Sequence, residues 1–385
     1  MKRLVLLGGG HAHIEVLRVF AALPLAGTEI ILVTPSSRLV FTGMVPGVIA
    51  GHYALADSAI DLAALVRAAN ATMLLTTATR VHPSEREVVC SDGTTLSYDA
   101  LSMDVGSVPV IGEAIGVEHH AVLVRPMEAL VRGWVDVRAR AREGKVGSIT
   151  IVGAGAGGVE LALAMDHGMR RELKGDTPHV RIIADTRVPV PELPEGARLR
   201  LRKRLARRNI GVHVSSAVKE VGERFVRLQS GIEFASDATF WVTGAGAQPW
   251  IRESGLATDE RGFLLTNDFL QSVTYREIFG VGDCAAQEHR PLPKAGVFAV
   301  RAAPRLASNL RAVLSDAPLE RHVTSPRHMT LISTGGKYAV GVWNGHSWQG
   351  YWAWLWKDAI DRGFVGRYRV ASATAPIATS QARQR

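Results

Sequence analysis

Apolar positions fall in short runs separated by glycine-rich and proline-rich turns. Residues 3–7 read as a strand buried on both faces, and Gly8-Gly-Gly then opens a helix to about Leu23. The same pattern predicts strands over 29–33, 72–75, 87–101 (turning at Ser91-Asp92-Gly93), 147–152, 180–184, 212–215, 234–242 and 278–281. Helices are predicted over 125–143, after a second glycine turn at Gly153, over the basic stretch 194–208 and over 294–314. Residues 328–343 alternate like a strand, Asn344-Gly345 makes a turn, and 348–361 reads as a tryptophan-rich helix. Residues 371–385 carry little that packs and are expected to be a disordered tail. Strand–helix–strand units recur twice, so the fold class is α/β with two layers of parallel sheet.

Bulk composition narrows the function. A chain of 385 residues can bury two or three cores, and 47% hydrophobic with 21% charged residues is globular. The 38 glycines, without repeats, suit many tight turns. A net charge of +9 fits anionic cofactors, an anionic membrane or nucleic acid. No RNA-binding signature, zinc finger or helix-turn-helix pattern is present, so neither nucleic acid nor a metal is expected. The two cysteines, Cys90 and Cys284, are far apart in sequence and suit a reducing compartment. Met1-Lys-Arg precedes only four apolar residues, and no stretch reaches about 18, so neither a signal peptide nor a membrane span is expected. The expected location is the cytoplasm.

The chemistry-bearing motifs are three. Gly153-Ala-Gly155-Ala-Gly-Gly158 follows a strand and opens a helix, the context in which a glycine fingerprint cradles a pyrophosphate on a helix N-terminus. Strand 180–184 ends at Asp185, where a carboxylate accepts from a ribose hydroxyl; this favours NADH over NADPH, and nearby Arg187 weakens the preference. The first turn, Gly8-x-Gly10, lacks the third glycine: His13 stands there. Either looser helix–strand packing absorbs the imidazole, or the ring points at the nucleotide. Its second strand ends at Thr34 where Asp or Glu is usual. Far downstream, Gly282-Asp283 ends a strand in the way an extended flavin's ribityl chain requires, and Thr243-Gly244 ends another.

In combination and order these motifs resemble the two-dinucleotide flavoproteins of the pyridine nucleotide-disulfide oxidoreductase fold, over about residues 1–315. Within it the chain looks most like type II NADH dehydrogenases, and more narrowly like relatives fused to, or encoded beside, selenide, water dikinase. That subgroup is echoed in Gly8-Gly-Gly-His-Ala-His13, Phe41-Thr-Gly-Met-Val-Pro-Gly47, Ile49-Ala-Gly-His-Tyr53, Asp104-Val-Gly-Ser107, Pro291-Leu-Pro-Lys-Ala-Gly296 and Trp356-Lys-Asp-Ala-Ile-Asp361. The resemblance implies an FAD-binding domain in two parts (1–115 and 247–316), an NAD(P)H-binding domain (116–246) and a small C-terminal α+β segment (317–370). It implies FAD at Gly8, Gly10, His11, Ala12, His13, Thr34, Thr42, Gly43, Gly106, Gly282, Asp283, Lys294, Ala295 and Gly296. It implies NAD(P)H at Gly153, Gly155, Gly158, Glu160, Asp185, Thr243 and Gly244. Two of these are the expected catalytic groups. Glu160 faces the nicotinamide–flavin region or is merely a helix-start carboxylate; Lys294 adds charge at the flavin edge or is merely solvated.

The implied reaction passes a hydride from NAD(P)H to FAD and electrons onward, most readily to a quinone. The alternatives are a flavin-binding redox partner or sensor tied to selenium metabolism, and a sulfide:quinone reductase-like sulfur or selenium oxidoreductase; without a close cysteine pair, thiol chemistry is the weaker route. Five of the eight tryptophans lie in 343–356, which suits peripheral contact with the inner face of a membrane, or instead a lid or homodimer contact.

Overall fold

The computed structural model describes residues 1–173 and 175–369; the expected tail, 371–385, lies outside them. Two five-stranded parallel sheets organise the chain. In the first, Lys2–Leu7 is central, flanked by Thr28–Val33 and Thr72–Leu74 on one side and by Ala100–Met103 and Ile278–Gly280 on the other. In the second, Ser148–Val152 is central, with His179–Ile183 and Gly211–His213 on one side and Ala238–Trp241 and Ala121–Leu123 on the other. Every residue of Ser148–Val152 is buried, as a strand covered by helices on both faces must be. The first sheet thus recruits a strand from beyond the second. Helix Gly296–Leu314 then packs Ala302, Ala303, Leu306 and Leu310 into the core built by helix His11–Ala22.

Each parallel unit carries a small antiparallel sheet: Ala78–His82, Glu87–Cys90 and Thr95–Ser97 on the first, and Val218–Val221, Phe225–Leu228 and Glu233–Ala235 on the second. The predicted strand segment 87–101, which makes its expected turn at Ser91-Asp92-Gly93, and the predicted strand 234–242 are therefore each split between an antiparallel and a parallel sheet. Their alternating and continuous apolar patterns abut without a strong breaker, so the corner is hard to see in sequence. Val108–Pro109 pairs with Ala245–Gly246 where the chain passes between the units.

The C-terminal segment is a three-stranded antiparallel sheet, Thr330–Thr334, Gly336–Trp343 and His346–Gly350, followed by helix Tyr351–Arg367. This corrects the predicted helix over 348–361: Trp348 is on a strand, its ring covers Gly341, and it stacks on Trp352 and Trp356 at 6.1 and 6.2 Å. The segment fastens to both units. Its helix reaches the first unit through Tyr53 to Asp358 (2.5 Å), Tyr368 to Glu15 (3.0 Å) and Phe364 stacked on Phe41 (4.5 Å). Its sheet holds the second through Ser333 to Glu160 (2.7 Å) and Arg200 to Ser347 (3.3 Å), with Arg204 lying 3.6 Å over the Tyr338 ring. The basic helix Glu195–Arg207 is thus partly spent on internal contacts. Among the described residues, no helix is long and apolar enough to cross a membrane.

Candidate functional site

One open cleft of about 2040 Å3 runs past the C-terminal ends of both parallel sheets, and both glycine turns line it. This is where open α/β sheets bind ligands. In the second turn Gly153 has φ +117°, and a Cβ there would sit 2.3 Å from the Val242 carbonyl oxygen. A Cβ on Gly158 would lie 2.0 Å from the Gly153 oxygen, so only glycine lets helix Ala156–Glu172 lie so close to its strand. Gly155 has nothing within 4 Å of a Cβ and opens onto the cleft. The free amides of a 17-residue helix therefore face a space that a phosphate can enter.

The first turn solves the same problem differently. Gly8 has φ +91° and abuts the Asp104 carbonyl oxygen, as Gly153 abuts Val242. In place of a third glycine, the His13 ring lies between helix and strand. Its Nδ1–H donates to the Gly8 carbonyl (2.6 Å), and its Nε2 accepts from the Ser102 hydroxyl (2.8 Å). A carbonyl can only accept, which fixes the tautomer. Burial pushes the imidazole pKa down to about 4, so the ring is neutral. His13 and Ala12 are fully buried and do not line the cleft, so of the two readings of the His13 ring the geometry is that of packing between helix and strand. The Ala12 amide is spent on the buried carboxylate of Asp104 at 2.7 Å.

At the flavin end of the cleft, Asp283 accepts from Arg125 Nη2 at 3.2 Å and from Ser107 Oγ at 3.3 Å, and Arg125 also reaches Ser107. Gly282 (φ +68°) does not line the cleft; a Cβ there would lie 2.8 Å from Asp104 Oδ1. Gly106 lies open on the wall, as do Thr42 and the start of helix Gly296–Leu314 with Ala295 and Gly296. His11 stands beside Gly296, packs edge-on against Phe41 and has an Nε2 that is out of reach of solvent and without a partner. Such a buried polar atom on a cleft wall fits a bound group that hydrogen-bonds it. Lys294 lines the cleft, but its ammonium is neither solvated nor free. It lies 3.7 Å over the Phe263 ring and donates to the Ala285 carbonyl, and burial lowers its pKa. Thr34 lines the cleft with its hydroxyl turned to the Ser36 carbonyl (3.2 Å), and exposed Arg38, which the sequence reading did not single out, stands beside it. Gly43 faces away, toward the C-terminal helix.

On the helix that opens after the second turn, Glu160 lines the cleft and accepts from the Ser333 amide. Burial raises its pKa, against the pull of Lys357. Lys357 is the residue that sequence reasoning missed. Its Nζ donates to Asp361 Oδ2 (2.6 Å) and to the Gly43 carbonyl (2.5 Å). Burial lowers its pKa, but Glu160 and Asp361 outweigh that and raise it, so one enclosed ammonium serves two carboxylates. The signal was present in the Lys357–Asp361 spacing of four on an otherwise aromatic helix.

On the second unit, Asp185 is exposed at the end of its strand and lines the cleft, whereas Arg187 does not. Thr243 spends its hydroxyl on the Val110 carbonyl (2.6 Å), leaving Gly244 open. Exposed Glu192, also unforeseen, accepts from the Ala156 amide at the helix start. Both cysteines are buried outside the cleft, and burial pushes the Cys284 thiol up to about 12. On the C-terminal helix, Tyr351, Trp352, Leu355, Trp356 and Ile360 are 44–53% exposed, an outward apolar face.

Two glycine cradles on separate parallel sheets, opening onto one cleft, define an oxidoreductase fold built for two dinucleotides. The family described as pyridine nucleotide-disulphide oxidoreductase matches residues 2–308, and the chain belongs to it. It is 28% identical over 232 residues to a probable NADH dehydrogenase of Dictyostelium discoideum, covering 55% of this chain and 51% of that one. It is 27% identical over 211 residues to a type II NADH:quinone oxidoreductase of Haemophilus influenzae, covering 52% and 47%. The chain thus spans about half the length of these curated relatives. Its fold matches that of NDH2 from Plasmodium falciparum in complex with NADH, with a TM-score of 0.81 over 95% of this chain and 97% of that one at 13% identity.

Proposed function

We propose that this chain is an FAD-dependent oxidoreductase that takes a hydride from NADH, or less readily NADPH, and delivers electrons to a quinone. The observation that carries the reading is the single cleft lined by both cradles, with Glu160 of the second cradle's helix on its wall and the Lys357–Asp361 pair beside Glu160. The curated relatives that bear NADH dehydrogenase and NADH:quinone oxidoreductase names support it.

FAD, when bound at the first turn, supplies the hydride-accepting ring. The chain's own residues bind, orient and hold protons. The first turn and Asp283 hold the flavin dinucleotide, and His11 Nε2 gains a partner. Gly155 and Gly158 admit the nicotinamide dinucleotide's pyrophosphate, and Asp185 accepts from its ribose and repels a 2′-phosphate. Lys357 stores a proton that the two flanking carboxylates keep in place, within reach of chemistry that consumes protons as a quinone is reduced.

The exposed aromatic face suits peripheral docking on the inner face of a cell membrane, where quinones are found. On the motifs quoted above we read the chain as one of the subgroup fused to, or encoded beside, selenide, water dikinase. The test is anaerobic addition of NADH to purified, flavin-loaded protein. The flavin's visible band should bleach and then recover on addition of a quinone. A band that neither NADH nor NADPH bleaches would sink the proposal.

A further inference from the structure

The two turns are built alike except for one group. Gly8 abuts the main chain of Asp104 just as Gly153 abuts that of Val242, so Asp104 and Val242 occupy equivalent strand-end positions. Valine puts an apolar side chain under the second helix, where a Cβ on Gly157 would meet its Cγ1 at 3.8 Å. Asp104 instead puts a buried carboxylate under the first. Its Oδ2 accepts from the Ala12 amide at 2.7 Å and the His13 amide at 3.4 Å, the second and third residues of helix His11–Ala22. Asp104 is among the residues that line the cleft, and its carboxyl group lies so close to Gly10 that a Cβ there would sit 2.3 Å from it. A helix N-terminus attracts one anion strongly, and here the protein supplies that anion itself.

We infer that Asp104 is a positioning residue that sets how tightly the first turn holds a dinucleotide pyrophosphate. As a carboxylate it takes the helix amides and repels the phosphates. As a carboxylic acid it loses the repulsion and keeps an O–H to donate to them. The inference rests on reading the first turn as the flavin cradle.

Burial raises the Asp104 pKa to about 6, against the helix amides and His11, so the change of state falls within the working range of most enzymes. The titratable and charged groups that face it are His13, His11, Cys284, Asp283 and Lys294. His13 stays neutral down to about 4, burial lowers His11, and the Cys284 thiol stays protonated to about 12. Asp283 is paired with Arg125, and Lys294 is held by Phe263 and Ala285. Bound pyrophosphate raises the Asp104 pKa further, so flavin affinity is greatest below about pH 6 and falls as pH rises through the free-state value.

The experiment measures the FAD dissociation constant of reloaded full-length protein by flavin fluorescence from about pH 5.5 to about pH 8. The wild-type constant should rise about tenfold across that range. NADH binding at the second turn, with Val242 beneath it, should stay within about twofold. Asp104→Asn keeps an acceptor for Ala12 but loses the charge. Its FAD constant should be flat and, at the upper end, tighter than wild type. A wild-type FAD constant that ignores pH overturns the inference without any variant. So does an Asp104→Asn protein with native circular dichroism that binds FAD more weakly at high pH. Protein that binds no flavin at any pH overturns the reading of the cradle beneath it, a result distinct from either.

Discussion

The imidazole of His13 stands between helix and strand where Gly158 lets the second turn's helix pack directly on its strand, and it satisfies two polar atoms while doing so. Replacing it with glycine leaves a cavity and an unpartnered Ser102 hydroxyl deep in the core. His13→Gly should cost about 3 kcal/mol of stability in denaturant titrations. Because the ring does not line the cleft, the variant's FAD affinity should stay within about threefold of wild type. The ring also makes the fold acid-sensitive. Its pKa is lowered from 6.5 to about 4 by burial, so the stability that its neutral form contributes is full above 6.5 and drains away as pH falls toward 4. His13→Gln, which cannot charge, should show a smaller drop in Tm than wild type between about pH 7 and about pH 4.5. The sequence marked His13 as odd, since a third glycine was missing from a recognisable turn. It held Asp104 only as part of the Asp104-Val-Gly-Ser107 motif and gave it no role, because nothing local to that strand end says which helix it will sit beneath.

At the scale of the element, the C-terminal helix has two jobs on two faces. Its inner face places Lys357 and Asp361 behind Glu160, and its outer face presents Trp352 and Trp356 to solvent. The outer face separates from catalysis. Trp352→Ser with Trp356→Ser removes roughly 3 kcal/mol of apolar burial, so binding to anionic vesicles should weaken about a hundredfold in co-sedimentation. NADH oxidation with a soluble acceptor should persist. The inner face does not separate. Lys357→Met should leave anaerobic flavin reduction by NADH nearly intact while quinone turnover falls at least about tenfold, read by stopped-flow against steady-state rates. The tryptophan cluster was visible in the sequence, but its division was not. Trp348 and Trp352 are four apart, which mimics one helical face, whereas a strand and a helix meet between them at Gly350.

At the scale of the whole molecule, the parallel layers were legible because apolar runs ending in glycine turns need no long-range knowledge. The turns also carried most of the cleft: Gly8, Gly10, Gly153, Gly155, Asp185, Asp283 and Gly296 all line it. What escaped were groups whose role is made by packing between distant segments, such as Lys357 against Gly43, or Asp104 beneath Ala12. The small antiparallel sheets escaped for a similar reason, since their strands continue straight into the parallel ones.

The C-terminal segment, fastened by its helix to one parallel unit and by its sheet to the other, works as a strut. A strut that ties one parallel unit to the other makes the gap between the cleft's walls a built-in dimension rather than a variable. Two dinucleotides seated on opposite walls then meet at a spacing that the apoprotein already owns. In the proposed reaction electron delivery should be timed by the arrival and departure of small molecules, so thickening the solvent should slow it only as much as it slows their diffusion.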